Sequence, residues 1–195
     1  MGTALPFMRS ALAALGLALA AFAPEIAGQV VREGGLAMDF TVVDRATGRP
    51  LHLEDLAGKI VVLDFFAHWC EPCRQASADL ESSVRRHYAA LGGNPAGLPV
   101  VVVGINVDPG RPDLTADFIR RTGMELATDD PRQDAFSEFD ERNSLPLIVV
   151  INGASGIQDL RQWQVLYSRA GYEGAAVLRR LIDSVGAPGS RGAPH

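Results

Sequence analysis

Between Lys59 and Phe66 the sequence reads KIVVLDFF, and after the lysine every residue but Asp64 is apolar. A strand exposed on one face alternates polar and apolar residues. An unbroken apolar run of this length instead demands cover on both faces, which is the environment of a central strand. Four residues beyond it stand Cys70 and Cys73, separated by Glu71 and Pro72. A helical stripe begins at the second cysteine, with Cys73, Ala76, Leu80, Val84, Tyr88 and Leu91 recurring at spacings of three and four. Pro72 suits the first turn of that helix, where its missing N–H would have had no partner. A buried strand that runs into an amphipathic helix, with two cysteines at the junction, leaves few architectures open.

The remaining pattern supplies more strands and helices. Phe40–Val43 and Leu51–Leu53 flank a turn through Thr47-Gly48-Arg49-Pro50 and read as a hairpin ahead of the main domain. Val100–Val107 is a second buried strand, after the loop Gly92–Pro99. Pro112–Thr122 reads as a helix burying Leu114, Phe118 and Ile119 and stopping at Gly123. A shorter helix near Asp134–Arg142 presents Phe136 and Phe139. Leu147–Ile151 and Gln162–Ser168 are further strands, and a last helix from about Glu173 aligns Val177, Leu178, Leu181, Ile182 and Val185. Strands alternating with helices imply an α/β sandwich.

The chain has 195 residues, room for one domain and a leading segment. Its net charge of −5 provides no electrostatic footprint for nucleic acid, so that partner is not expected. Residues 1–23 hold Arg9 and then an almost wholly apolar stretch, Ser10–Ala23, of signal-peptide length. An export signal is expected there, either cleaved or kept as an N-terminal membrane anchor. The domain itself should occupy residues 34–185, and Gly186–His195 has nothing to bury and reads as a disordered tail. Export places the only two cysteines in a compartment that permits disulfides. A bridge closing so short a loop does little to staple a fold, so the pair is suited to reversible chemistry.

The C-x-x-C spacing has a physical rationale. At a helix N-terminus, unpaired N–H groups and the helix dipole stabilise the thiolate of Cys70, the form that attacks disulfides. Cys73, one turn along, lies beneath and can displace a mixed disulfide. The stretch from Val62 to Arg74, with its core Trp69-Cys70-Glu71-Pro72-Cys73, resembles the active-site strand and helix of thioredoxins. The wider pattern is similar to the exported TlpA/ResA-like branch. It rests on Ala37-Met38-Asp39-Phe40, Leu56-Ala57-Gly58-Lys59, Val103–Asp108 and Leu145-Pro146, and covers residues 34–185.

The resemblance implies a thioredoxin-like three-layer sandwich, with a central mixed β-sheet and an N-terminal hairpin. It implies a redox disulfide between Cys70 and Cys73, with Cys70 the exposed attacking residue and Cys73 the resolving one. Pro146 matches the cis-proline beside the disulfide, leaving the backbone of Leu145 free to pair with an extended substrate. Trp69 matches the aromatic that shields the pair and borders bound substrate. Asp64 matches a buried carboxylate that accepts the proton of Cys73.

Two departures from the family bear on chemistry. Exported relatives commonly lack an Asp at the position of Asp64. The thioredoxins that have it place a Lys on the next strand, where this chain has Gly104. An Asp buried without a cation should have a raised pKa. Glu71, between the cysteines, should oppose thiolate formation, which goes with a couple near about −270 mV rather than about −120 mV. Relatives with the same C-E-P-C serve cytochrome c maturation or copper-site assembly as reductases.

The expected activity is therefore reduction of protein disulfides in the periplasm or cell envelope, with electrons from a membrane thiol donor and no cofactor. A structural zinc site would need four ligands, and no second cysteine pair exists. The alternative from another class is a Sco-like copper-delivery protein using the two thiolates. His68 reads as a solvated rim residue. The acidic stretch Glu125, Asp129, Asp130, Asp134, Glu138, Asp140 and Glu141 reads as a solvated face.

Overall fold

The computed structural model describes residues 30–140 and 142–186. The export segment expected at residues 1–23 and nearly all of the expected tail lie outside them. The hairpin forms from β1 (Thr41–Asp44) and β2 (Pro50–His52), paired antiparallel. Leu53 does not extend it but opens a 3-10 turn, Leu53–Leu56, that buries both of its leucines. β3 (Ile60–Phe66) is buried at all seven residues, as its unbroken apolar run requires.

The long helix after the cysteines has three parts: α1 (Glu71–Asp79), a π turn (Leu80–Arg85) and α2 (Arg86–Leu91). Sequence spacing explains the π turn. Ala76, Leu80, Val84 and Tyr88 are each four apart, and four residues of α-helix overshoot a full turn by about 40°. Over three such steps the stripe would wander off the sheet. The wider i→i+5 winding of a π turn takes back much of that drift, and all four side chains are fully buried. Leu91 does not share this burial. It ends α2 at 66% exposure, just before Gly92 turns left-handed.

β4 (Val100–Asn106) is followed by α3 (Pro112–Thr122), which stops at Gly123 with φ 71°. The buried face of α3 is Thr115, Phe118 and Thr122; Leu114 is exposed and Ile119 half-buried. The phase is set by Thr115, whose hydroxyl donates to the Arg111 carbonyl while accepting from buried Asn106. β5 (Ala127–Asp129) is too short for its periodicity to be read from sequence. Next come α4 (Asp134–Phe139), β6 (Leu147–Asn152), β7 (Gln164–Ala170) and α5 (Ala175–Ser184). α4 stops three residues short of Arg142, because Asp140 turns extended. β7 starts two residues later than its alternation implies, because Trp163 sits at φ 64°.

The seven strands form one mixed sheet in the order β2-β1-β5-β4-β3-β6-β7, with β3, β4 and β5 parallel. Right-handed crossovers put α1 and α3 on one face, where Phe118 of α3 stacks on Phe66 at 4.5 Å. The adjacent Phe65 points to the other face, against Phe136 and Phe139 of α4. Leu178 and Ile182 of α5 join Leu80, Val84 and Tyr88 over Ile60 and Val62. The result is the expected three-layer sandwich.

The acidic stretch is a solvated face only in part: Glu125 and Asp134 are exposed, Asp130 and Glu138 are buried, and Glu141 lies outside the described residues. Asp129 holds Arg45 through both oxygens, and buried Asp130 accepts the N–H groups of Asp134 and Phe136 at the start of α4. Glu138 is buried and accepts the Met38 N–H at 2.6 Å. Glu125 pairs with Arg85 and Asp134 with Arg132, while Asp140 accepts the Ser144 N–H. These carboxylates bind specific partners, several of them far away in sequence, such as Arg45, Arg85 and Met38.

Candidate active site

β3 ends at Phe66, and three residues later the chain turns into α1 at the carboxyl edge of the parallel strands, where open α/β sheets place their sites. Cys70 is the N-cap of α1, and Pro72 occupies its first turn. The sulfur of Cys70 accepts the Cys73 N–H at 3.2 Å, one of the donors a helix start leaves unpaired. The two cysteines form a disulfide with Cα atoms 5.3 Å apart. Cys73 is 0% exposed and Cys70 5%. Cys70 is thus far less open than expected, yet it is the cysteine that solvent reaches.

Trp69 is 60% exposed, and its indole N–H donates to Asp108 Oδ2 at 2.8 Å. That bond ties the rim of the cysteine turn to the loop after β4. The Leu145–Pro146 peptide is cis, with Pro146 buried and the Leu145 side chain half-buried against the core. Among the described residues no backbone hydrogen bond engages Leu145. Glu71 is exposed and pairs with Arg74 Nη2 at 3.4 Å. The arginine's positive charge stands beside the carboxylate expected to repel the Cys70 thiolate. His68 is not a solvated rim residue: it is half-buried, and its Nδ1 is enclosed without a partner.

Asp64 lies on β3 beneath the helix that carries Cys73 and is 1% exposed. Neither carboxylate oxygen has a hydrogen-bond partner, and neither does the buried hydroxyl of Ser77, one turn beyond Cys73. Burial pushes the Asp64 pKa up to about 7, and the nearby Ser77 hydroxyl offsets this only in part. The expected absence of a cation has a structural counterpart. Gly104 is the register partner of Asp64 on β4, and a Cβ there would lie 2.0 Å from the sulfur of Met124. A thioether fills the space a longer side chain would need.

Three residues near this site escaped sequence reading. Ser77 stands four after Cys73 and so shares its helix face, a signal that was available. Asp108 follows β4 in a motif already noted, but nothing in the sequence pairs it with Trp69. Met124 gives no signal at all.

A cysteine pair at a helix N-terminus, on the carboxyl edge of a central strand and above a buried carboxylate, defines a dithiol–disulfide site on a thioredoxin-type fold. Comparison with known proteins agrees. A family model described as thioredoxin-like matches residues 58–157, and the chain belongs to that family. It is similar to the thioredoxin-like protein YneN of Bacillus subtilis, 39% identical over 59 residues that cover 30% of this chain and 34% of that one. It is also similar to the thiol-disulfide oxidoreductase ResA of Bacillus subtilis, 29% identical over 126 residues, 63% of each chain. The matches thus span about a third and just under two thirds of these curated relatives. The ResA match accords with the TlpA/ResA-like resemblance. Among solved structures, a putative protein disulfide isomerase from Bacteroides thetaiotaomicron aligns with TM-score 0.65 and 24% identity over 83% of this chain and 94% of that one. A secreted thiol-disulfide isomerase from Corynebacterium glutamicum aligns with TM-score 0.62 and 18% identity over 82% and 92%. Both of these show the fold.

Proposed function

We propose that the protein is an exported thiol–disulfide oxidoreductase that reduces protein disulfides in the cell envelope. The observation that carries this reading is the asymmetry of the pair. Cys70 sits at the helix start, its Sγ accepts a backbone N–H and it is the cysteine that solvent reaches, while Cys73 is fully enclosed one turn before Ser77, the neighbour of buried Asp64.

In the reduced protein, the Cys70 thiolate attacks a substrate disulfide and one substrate sulfur leaves as a thiolate. Asp64 accepts the Cys73 proton, and the Cys73 sulfur attacks Cys70 Sγ. The second substrate sulfur leaves, and the Cys70–Cys73 disulfide remains. A base whose pKa lies near 7 is matched to this task at neutral pH. The free backbone of Leu145, ahead of Pro146, offers strand-like pairing to an extended substrate. Trp69 provides an apolar edge beside it.

Two electrons per turnover return the disulfide to the dithiol, and a membrane thiol donor fits an exported protein held near its signal segment. Relatives named as a thiol-disulfide oxidoreductase and as a secreted thiol-disulfide isomerase support the reaction class and export. Among the described residues no helix is long and apolar enough to cross a membrane. The copper-delivery alternative is not favoured by these relatives.

The test is the reduction potential of the couple against glutathione, with reduction of a model protein disulfide as the activity. A potential near about −270 mV fits a reductase, and one near about −120 mV overturns that direction.

A further inference from the structure

We propose that Ser77 is a positioning residue for the proton transfer at Cys73. Its hydroxyl donates to the Asp64 carboxylate when that group is ionised and accepts from it once it is protonated. This rests on the reading of Asp64 as the base for Cys73.

The first ground is the behaviour of hydroxyls in this chain's helices. A helical Ser or Thr can bond back to a carbonyl on the preceding turn. Thr115 does so to Arg111, Thr122 to Phe118, Ser82 to Ala78 and Ser184 to Leu181. Ser77 does not, although the Cys73 carbonyl stands four residues before it. Its Oγ is enclosed and without a partner, an arrangement that costs free energy unless something else engages it.

The second ground is what surrounds Asp64. On its own strand the same-face neighbours are Val62 and Phe66. Its register partners are Gly104 on β4 and Ile148 on β6, and Met124 fills the space over Gly104. From α1 comes Ser77, one turn after Cys73. Ahead of α5, Tyr172 gives its own hydroxyl to Asp79 at 2.7 Å, and its phenol is pushed up by burial first, then by Asp79 and Asp64. The Asp64 pKa is raised by burial and lowered by the Ser77 hydroxyl, with no Arg, Lys or His among its causes. A hydroxyl is one donor and two lone pairs on a freely turning bond. Ser77 can therefore serve either protonation state by rotation, where a lysine could serve only the anion. Losing this donor removes stabilisation from the charged form.

The experiment uses the full chain in the oxidised state, with the Asp64 carboxyl followed by carbon NMR across pH. Ser77→Ala should move the Asp64 midpoint upward by about one unit, a tenfold change in its ionisation constant. The pH profile of mixed-disulfide resolution should move with it. Ser82→Ala, which removes a back-bonded hydroxyl on the next turn, should leave the midpoint in place. An unchanged midpoint in Ser77→Ala, or an equal shift in Ser82→Ala, overturns the proposal. The rate profile of Asp64→Asn speaks separately to the base reading: if resolution keeps its pH dependence there, that reading fails whatever Ser77 does to the carboxyl titration.

Discussion

Replacing Asp64 with asparagine should make the protein's stability less sensitive to pH, by an amount that follows from burial. An unfolded aspartate loses its proton at 3.8, whereas the folded one keeps it to about 7. Between those values the native state holds a proton the unfolded chain has given up, so folding loses stability as pH rises, and the loss levels off above about 7. Roughly three units at 1.36 kcal/mol each make a full loss of about 4 kcal/mol, of which about 2.5 kcal/mol falls between pH 5 and pH 8. The asparagine of the variant is neutral throughout. Its amide keeps Ser77 as a neighbour but leaves its remaining polar atoms unpaired, a cost of about 1–3 kcal/mol that does not depend on pH. Glu138, which burial also raises to about 7, titrates in both proteins and cancels in the difference. The stability of Asp64→Asn relative to the parent should therefore climb by about 2.5 kcal/mol from pH 5 to pH 8. Urea midpoints of the two oxidised proteins at each pH measure this. The same offset at both pH values would refute the reasoning, because it would mean that Asp64 ionises in the fold as freely as in water. Single-turnover resolution of a mixed disulfide should be slower in the variant by about a hundredfold at neutral pH.

Cys73→Ser should accumulate a covalent adduct with a disulfide substrate on non-reducing gels and Cys70→Ser should not; equal trapping would reverse the assignment of nucleophile. Glu71→Gln should lower the Cys70 thiol pKa by no more than about 0.5 unit in an absorbance titration, because an exposed carboxylate paired with Arg74 acts weakly. A drop of a full unit would show that Arg74 does not offset it. Asp108→Ala should change Trp69 fluorescence and raise KM for a protein disulfide, while lowering the stability measured by urea unfolding by no more than about 1 kcal/mol. Gly104→Ala should destabilise by about 1–3 kcal/mol through its clash with Met124, and Met124→Val in the same chain should recover part of that. Simple additivity of the two changes would contradict this packing.

The cysteine turn and its strand were legible because their signals are local. An unbroken apolar run, a proline in the first turn and a C-x-x-C need no tertiary information. The position of Asp64 was legible for the same reason, and its lack of a cation followed from Gly104. The thioether that fills the gap was not, since Met124 lies beyond α3 and reaches the site only through the crossover. β5 was missed because three residues cannot display a period. Leu114 was assigned to the core of α3 by hydrophobicity, but the buried Asn106 selects Thr115 instead. The acidic stretch was partly misread, because composition records charge and not partners. Asp130 caps the start of α4 through the N–H groups of Asp134 and Phe136, and Glu138 is anchored to the Met38 N–H, which only the folded chain brings near.

The π turn holds one helix in a single phase while its two ends serve different parts of the molecule. Ahead of it stands Cys73 of the dithiol pair. Beyond it, Tyr88 reaches the Arg179 carbonyl and Asp183 on α5. Deleting one residue within Leu80–Arg85 would let the helix close into regular α winding. The wider π winding turns the chain about as far as α winding with one residue fewer, so Tyr88 should keep its partners on α5. The segment works like slack in a belt, taking up a lost residue without moving either pulley. Deleting His87 instead, where the winding is already α-helical, should swing Tyr88 by about 100° away from α5. Urea stability should hold in the first variant and fall in the second. Equal losses in both would mean that the π turn carries no slack.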